Sequence, residues 1–349
     1  MERRIAAWEN TLIIDQGCAW VFGDNSAGQL GLGNKKLRIK KPKRLEHTSA
    51  IVSVACGTSH SLFLDERGVV WGSGCNLRGQ LGLGRSVTTI TKLERIRKLP
   101  KIVAIASGDM HSLFLDAKGS VWGTGMTEYT YYTDEAIPKR PIKIDIFDKK
   151  IKAIYAHGKA SLMIDIDGIA WHLGNLNHTQ AVAFQCEGKI EQIERHHLLT
   201  DLGEVFAFTL KPPGLLGKEN VPPIVTIACG HSHSLFLDTE GKVWGLGNNF
   251  NGELGVGHGS RKEPCLIENI PLIKFIGCGQ FHSVLIDIQG QVWSCGLNKS
   301  RQLGYDFKIP YPLLNKRQRT MKAIDTIYSE VKAHQGIKSA RKDLCSSNN

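Results

Sequence analysis

The chain of 349 residues is short of proline, of aromatic side chains and of long hydrophobic runs, and each shortage excludes a class of protein. No apolar run approaches the roughly 20 residues that a membrane-spanning helix needs, so we expect no membrane span. The start, MERRIAAWEN, returns to charged residues before a signal-peptide core could form. Nine cysteines without a CxxC pair favour reduced thiols over a disulfide framework. We therefore expect a protein of a reducing compartment, cytoplasmic or nuclear.

Positive charge is in excess, with 44 lysines and arginines against 33 acidic residues. One stretch of ten residues holds seven basic ones, namely Lys35, Lys36, Arg38, Lys40, Lys41, Lys43 and Arg44. Such a patch attracts acidic partners and binds nucleic acid without sequence preference. The simpler interpretation is solvated charge that keeps the protein soluble, and the sequence leaves both open.

Glycine is abundant, with 37 residues, and the chain repeats itself around these glycines. The segment HSLFLDERGVVWGSG from His60 recurs from His111, His233 and His282, and weaker copies begin at Asn10, Ala160 and His196. Every copy holds an aspartate that closes an apolar run: Asp15, Asp65, Asp116, Asp165, Asp201, Asp238 and Asp287. A glycine follows within three residues, and an aromatic residue stands three positions beyond that glycine. Seven copies of one unit are therefore expected.

Each unit has the pattern of four β-strands. An apolar run, an Asp-x-x-Gly turn and a second run with an aromatic residue predict a β-hairpin. Glycine-rich loops such as NLRGQLGLG from Asn76 and further runs such as IVSVACG from Ile51 complete the unit. Repeat spacings between 35 and 51 residues suit propeller blades. We therefore predict an all-β, seven-bladed β-propeller over residues 1–310, with its ring closed by pairing of the N- and C-terminal strands in one blade.

The end of the chain, residues 311–349, is predicted to be a basic tail that is partly helical or disordered. Ile324, Ile327 and Val331 recur there at helical spacing among basic residues, which favours a short amphipathic helix.

The repeats resemble the regulator of chromosome condensation repeat family, in the V-A-C-G-x-x-H-S-L run and in the N-x-x-G-Q-L-G-L-G loop. The resemblance covers roughly residues 5–305 and weakens between Tyr155 and Val221, where Ala160 replaces the histidine. It implies a seven-bladed propeller. Because the founding member is a nucleotide-exchange factor for the small GTPase Ran, it also implies a partner of the Ran or Rab type. Other members are scaffolds, ubiquitin-ligase modules, ciliary proteins or bacterial effectors, so function transfers less safely than fold.

The resemblance also implies a partner-binding site. The family's exchange factor contacts its GTPase through loops between the glycine and the histidine, where this chain has Asp109, His231 and Gln280. It also uses a wedge after the third hairpin, where this chain has Tyr129, Tyr131, Tyr132, Asp134 and Glu135. Exposed tyrosines are typical binding anchors, whereas an eroded blade with inward-packed tyrosines is the alternative.

The repeated histidines allow a catalytic or metal-binding interpretation. Their recurrence at one position of several blades favours a structural role instead. Cys229, His231 and His233 alternate as a partial zinc set, but Cys56 and Cys278 stand at the repeat position of Cys229, which favours core packing. We expect neither a metal nor a cofactor.

No HExxH, GxSxG or GxxxxGK[ST] motif occurs, so no chemical active site is expected, and exchange activity would act through binding alone. The leading hypothesis is a monomeric protein-interaction propeller that binds a small GTPase and exchanges its nucleotide. One alternative is a noncatalytic scaffold, or a secreted bacterial effector or adaptor acting in a host cytosol. A weaker alternative is a chromatin or nucleic-acid binder.

Overall fold

The computed structural model describes residues 4–34, 36–84, 87–126, 139–144, 149–173, 182–184, 188–195, 197–207, 214–215, 221–305 and 317–324. Across these ranges, 28 strands form seven four-stranded antiparallel sheets, which confirms the predicted all-β, seven-bladed propeller. The same ranges contain no helix of the length and apolarity that a bilayer crossing requires.

Each sheet is one blade, and its strands follow chain order. Blade 1 comprises β1 (Ile5–Ala7), β2 (Asn10–Asp15), β3 (Cys18–Asp24) and β4 (Arg38–Arg44). Blade 2 comprises β5 (Ile51–Cys56), β6 (His60–Asp65), β7 (Val70–Cys75) and β8 (Thr89–Arg95). Blade 3 comprises β9 (Ile102–Ser107), β10 (His111–Asp116), β11 (Val121–Gly125) and β12 (Ile142–Lys143). Blade 4 comprises β13 (Ile151–His157), β14 (Ala160–Asp165), β15 (Ala170–Leu173) and β16 (Val182–Phe184).

The remaining three blades follow the same order. Blade 5 comprises β17 (Ile190–Glu194), β18 (His197–Thr200), β19 (Val205–Ala207) and β20 (Gly214–Leu215). Blade 6 comprises β21 (Ile224–Cys229), β22 (His233–Asp238), β23 (Val243–Gly247) and β24 (Arg261–Leu266). Blade 7 comprises β25 (Ile273–Cys278), β26 (His282–Asp287), β27 (Val292–Leu297) and β28 (Arg317–Ala323).

The first strands of the blades surround a central channel with a cavity of about 400 Å³. Since strands alternate in direction, the connections between first and second strands, and between third and fourth strands, all lie on one face, which we call the loop face. The Asp-x-x-Gly turns between second and third strands lie on the opposite face, which we call the turn face. Apolar side chains of the second and third strands pack between neighbouring blades.

One aspartate organises the turn in most blades. In blade 3, Oδ1 of Asp116 accepts the backbone N–H groups of Lys118 (2.8 Å) and Ser120 (2.9 Å), and Oδ2 accepts Nε1–H of Trp122 (3.0 Å). Gly119 takes a positive φ of 83°, which favours glycine. The same carboxylate contacts recur at Asp65, Asp165, Asp238 and Asp287. The sequence pattern D-x-x-G-x-x-W therefore encodes one hydrogen-bonded unit.

Blade 5 departs from this unit. Thr200 takes the aspartate position there, because its N–H donates to Glu204 O (3.0 Å) and its carbonyl accepts Gly203 N–H (3.0 Å). Asp201, which the sequence pattern aligned with the other aspartates, instead accepts the N–H of Lys189 (3.0 Å).

Removing the turn carboxylate should destabilise the blade. Burial alone would raise the pKa of Asp116, but hydrogen bonds from Trp122, Ser120 and Lys118 outweigh it and hold the pKa below its usual range. Asp116→Ala leaves three donors without their acceptor, so we expect a loss of about 3 kcal/mol in the free energy of unfolding, measured with urea. The matched control Asp201→Ala should cost less than about 1 kcal/mol, and an equal loss in both variants would contradict this account.

The ring closes differently from the prediction. Blade 1 contains only N-terminal strands and blade 7 only C-terminal strands, so no shared blade is formed. The two blades are joined instead by hydrogen bonds, from Gln280 N–H to Trp8 O (3.1 Å) and between His282 Nε2 and Thr11 Oγ1 (2.9 Å). The fourth strand of blade 7 was missed because its sequence, RQRTMKA, is mostly polar.

Strand β28 also lies beyond residue 310, the boundary that the sequence suggested. Ile324 directly follows it as a buried residue whose N–H donates to Val292 O (2.7 Å), so this position is not helical. Ile327 and Val331 lie outside the described residues.

Candidate protein-binding face

Buried histidines hold the loops of the loop face in place. His60 Nε2 lies 3.1 Å from Ser112 Oγ in the next blade, and that hydroxyl donates to Gln80 O (2.7 Å). Because the carbonyl can only accept, the hydroxyl oxygen accepts from the histidine, whose proton is therefore on Nε2. Equivalent contacts between neighbouring blades are His111 with Ser161 (3.1 Å), His233 with Ser283 (3.0 Å), His282 with Thr11 (2.9 Å) and Asn10 with Ser61 (3.3 Å). We call these contacts the histidine belt.

The histidines of this belt are uncharged near neutral pH. Burial lowers the pKa of His60 and His282 to about 3, and that of His111 and His233 to about 4. The structural role that their recurrence predicted is therefore confirmed. Of the residues that could have formed a partial zinc set, His233 belongs to the belt, whereas His231 is exposed in a loop.

Blade 5 lacks the usual loop. Glu194 pairs directly with His197, so Arg195 and residue 196 form the entire connection between its first two strands. In blade 2, by contrast, six residues separate the equivalent pair, Ala55 and Leu62. The histidine expected at position 196 lies outside the described residues, and the shortened connection explains why the repeat alignment failed there.

Arg195 extends towards the neighbouring loop from this shortened connection. It has a positive φ of 34°, and its Nη1 donates to Gly230 O (3.0 Å) and lies 3.5 Å from His231 Nδ1. Burial lowers the pKa of Arg195, and electrostatic interactions with Cys229 and Asp109 oppose that shift. The guanidinium therefore contributes positive charge close to the channel mouth.

Asp109 is fixed on the loop of blade 3. Its N–H donates to Gly158 O (2.7 Å) in blade 4, and its Oδ1 accepts the hydroxyl of Thr58 (2.9 Å) from blade 2. The side chain is half-buried. The carboxylate of Asp109 therefore lies on a loop that is hydrogen-bonded to both neighbouring blades.

His231 and Gln280 stand on the same face in blades 6 and 7. The N–H of His231 donates to Gln280 O (3.1 Å), and the N–H of Gln280 donates to Trp8 O (3.1 Å). The exposed His231 ring lies 5.5 Å from the ring of Phe281. These loops therefore form a continuous hydrogen-bonded rim from blade 6 to blade 1.

The mouth of the channel is partly covered by an aromatic contact. Trp8 of blade 1 and His157 of blade 4, which lie on opposite sides of the ring, have ring centroids 5.7 Å apart. Each blade contributes one residue to the mouth: Trp8, Thr58, Asp109, His157, Arg195, His231 and Gln280. The surface combines aromatic rings with the carboxylate of Asp109 and the half-buried guanidinium of Arg195, a mixture typical of protein-binding sites.

The structure brings Asp109, His231 and Gln280 to one face, and their role in binding stays a prediction. Tyr129, Tyr131, Tyr132, Asp134, Glu135 and Lys35 lie outside the described residues. The other basic residues of the predicted patch, Lys36, Arg38, Lys40, Lys41, Lys43 and Arg44, lie on or beside β4 at the outer rim. Sequence reasoning missed Arg195, Trp8 and His157, although the short spacing of 35 residues between Gly168 and Gly203 indicated a lost loop.

The fold and its loop face define a repeat propeller in which most blades have the same hydrogen-bonded turn and four blades have the same histidine contact to the next blade. The family model described as RCC1-like domain matches residues 18–341, and the chain belongs to this family.

Individual relatives agree with this assignment. Protein RCC2 of Homo sapiens is 29% identical over 260 residues, which are 74% of this chain and 40% of RCC2. The Ultraviolet-B receptor UVR8 of Arabidopsis thaliana is 25% identical over 290 residues, 72% of this chain and 65% of UVR8. The chain thus spans about two-fifths of the RCC2 sequence. The crystal structure of Prp20p from Saccharomyces cerevisiae has a TM-score of 0.77 at 21% identity, covering 93% of this chain and 87% of that one, which shows the shared fold alone.

Proposed function

We propose that the loop face binds a small GTPase of the Ran type and promotes release of its guanine nucleotide. The observation that carries this proposal is Asp109, a half-buried carboxylate fixed by Thr58 and Gly158 at the channel mouth. Two comparisons support it: the chain belongs to the RCC1-like domain family, and Prp20p, which shares the fold, is described with its binding properties to Gsp1p and histones.

Exchange of this kind needs no acid, base or metal from the propeller. It requires tighter binding to the nucleotide-free GTPase than to the loaded one, because only differential affinity shifts the equilibrium. A fixed carboxylate serves this purpose, since it offers a preorganised acceptor at little entropic cost. Asp109 would engage donors that the bound nucleotide otherwise occupies, while His231 and Gln280 dock the GTPase body.

The test is release of a fluorescent guanine nucleotide from purified Ran at catalytic amounts of the propeller. We expect acceleration by the wild-type chain and at least a tenfold slower rate with Asp109→Ala, about 1.4 kcal/mol or more of lost differential binding. The control Glu66→Ala removes one exposed carboxylate from the turn face and should leave the rate unchanged. No acceleration across a panel of small GTPases would refute the proposal.

The tyrosine segment gives a second variant for the same assay. Tyr131 and Tyr132 follow the third hairpin, the place of the family's wedge, and aromatic side chains are frequent binding anchors. Tyr131→Ala combined with Tyr132→Ala should abolish the accelerated release. An unchanged rate would show that Tyr131 and Tyr132 take no part in nucleotide release, and Asp109 would remain the proposed contact.

A noncatalytic scaffold is the second candidate. It is favoured by blade 5, whose loop is lost, and by Ala160, which interrupts the histidine belt in blade 4. A scaffold should bind its partner with equal affinity in the GDP-bound, GTP-bound and nucleotide-free states. A preference for the nucleotide-free state of at least tenfold would favour exchange instead.

A further inference from the structure

The outermost strand of blade 1 carries exposed basic side chains, whereas Asp109, His231 and Gln280 lie in connections between first and second strands of other blades. Strand β4 is the last strand of its sheet and pairs only with β3. Ile39 and Pro42 are buried, and every other residue of the strand is an exposed lysine or arginine. Five charged side chains therefore project from a strand of seven residues, about 23 Å long.

The neighbouring blade extends this row. The glycine loop after β3 packs on β8, where Gly33 N–H donates to Thr91 O (2.7 Å) and Leu32 forms a bridge with Lys92. A Cβ atom at Gly33 would lie 2.7 Å from Cε of Lys92, so the Lys92 side chain lies directly on this loop.

The exposed basic residues on or next to these two outer strands are Lys36, Arg38, Lys40, Lys41, Lys43 and Arg44 in blade 1 and Lys92, Arg95, Arg97 and Lys98 in or after β8, of which Lys92 lies against the glycine loop of blade 1. Two acidic residues accompany them, the exposed Glu46 and the half-buried Glu94. We call this surface the basic rim.

We propose that the basic rim binds the phosphate backbone of duplex nucleic acid without sequence preference. Strand β4 is long enough to lie along about seven phosphates of one DNA strand, because these phosphates recur about every 3.4 Å along the helix axis. Lysine-rich surfaces with few aromatic anchors are unfavourable for protein partners but suit phosphates. Leu37 is the one large apolar side chain exposed between positions 36 and 44. Addition of a partner strand to the free edge of β4 is opposed by Pro42 and by the charged side chains.

The test measures fluorescence anisotropy of a labelled 20-base-pair DNA duplex of mixed sequence, with the full chain, between 50 and 300 mM salt. About five phosphate contacts should give a slope of about −4.5 in the plot of log affinity against log salt. Lys41→Gln, Lys43→Gln and Lys92→Gln together should reduce the slope by about 2.7 and weaken binding at least 30-fold or so at 50 mM salt.

A matched control distinguishes loss of the basic rim from a general loss of positive charge. Lys118→Gln, Lys189→Gln and Lys262→Gln remove three exposed charges from blades 3, 5 and 6, outside the basic rim, and should change affinity less than about twofold. Equal weakening in both triple variants, no binding at 50 mM salt, or tighter binding to a polyglutamate peptide than to the duplex would overturn the proposal. Both triple variants should keep the wild-type melting temperature, because the substituted side chains are exposed. The proposed exchange function is tested separately, by nucleotide release from Ran.

Discussion

Lowering the pH from 7 to 5 is expected to remove about 8 kcal/mol from the free energy of unfolding of this propeller. Four buried histidines of the belt cause this loss, because the folded state holds the pKa of His60, His111, His233 and His282 at about 3 to 4. The unfolded chain takes up a proton on each near pH 6.5. Stability is therefore complete above pH 6.5 and falls as the pH approaches 4.

The size of this effect follows from the separation of the two pKa values. A pH of 5 lies about 1.5 units below the pKa of an unfolded histidine. Protonation therefore stabilises the unfolded chain by about 2 kcal/mol for each histidine, and the folded state gains no such stabilisation. Four such groups approach the whole stability of an ordinary domain. The turn aspartates do not contribute in this window, because the pKa of Asp65, Asp116 and Asp165 is lowered in the fold and matters only below about pH 4.

Urea unfolding at pH 7.5, 6.5, 5.5 and 5.0 measures this loss, and His60→Asn is the matched variant. Asparagine already fills this position in blade 1, where Asn10 Nδ2 donates to Ser61 Oγ (3.3 Å). The variant should be modestly less stable at pH 7.5 but lose about 2 kcal/mol less than the wild type on acidification. A wild-type stability that is flat between pH 7.5 and 5.0 would refute the assigned protonation states.

The fold could be predicted because each blade repeats one local chemistry. The spacing from Asp116 to Gly119 and Trp122 is dictated by three hydrogen bonds to one carboxylate, so it survives in every blade that keeps the turn. In blade 5 the carboxylate contacts are absent. The sequence pattern aligned Asp201 with the turn aspartates, whereas Thr200 makes the equivalent backbone hydrogen bonds. The D-x-x-G-x-x-W pattern exists because of these hydrogen bonds, so aligning repeats by this pattern becomes unreliable in a blade that lacks them.

The candidate site was predicted only in part for a related reason. Asp109, His231 and Gln280 occupy a repeated loop, so their common face follows from the repeat itself. Arg195 and Trp8 reach the channel mouth through features that occur once, a deleted loop and the connection after β1. Contacts made across the ring have no signature at a fixed sequence spacing, and only the assembled propeller shows them.

The closing seam between blades 7 and 1 depends on a glycine, so Gly277→Val should cost about 3 kcal/mol or more in the free energy of unfolding. A Cβ atom at Gly277 would lie 2.4 Å from Cγ2 of Ile5 and 2.8 Å from its Cβ. Blades 2 and 6 hold Ala55 and Ala228 at the equivalent position, whereas blade 7 has no room for a methyl group beside β1.

A double-mutant cycle makes this prediction specific to the seam. Ile5→Ala alone should cost about 3 kcal/mol, since Ile5 is buried, but in the Gly277→Val background it also relieves the clash. The double variant should therefore be more stable than the sum of the single effects predicts by at least about 1 kcal/mol. Because no strand pairing joins blades 7 and 1 within the residues that the structure describes, packing at this seam and the contacts of Trp8 and His282 close the ring there. Additive effects, or a Gly277→Val variant as stable as the wild type, would show that blades 7 and 1 are not held together by this packing.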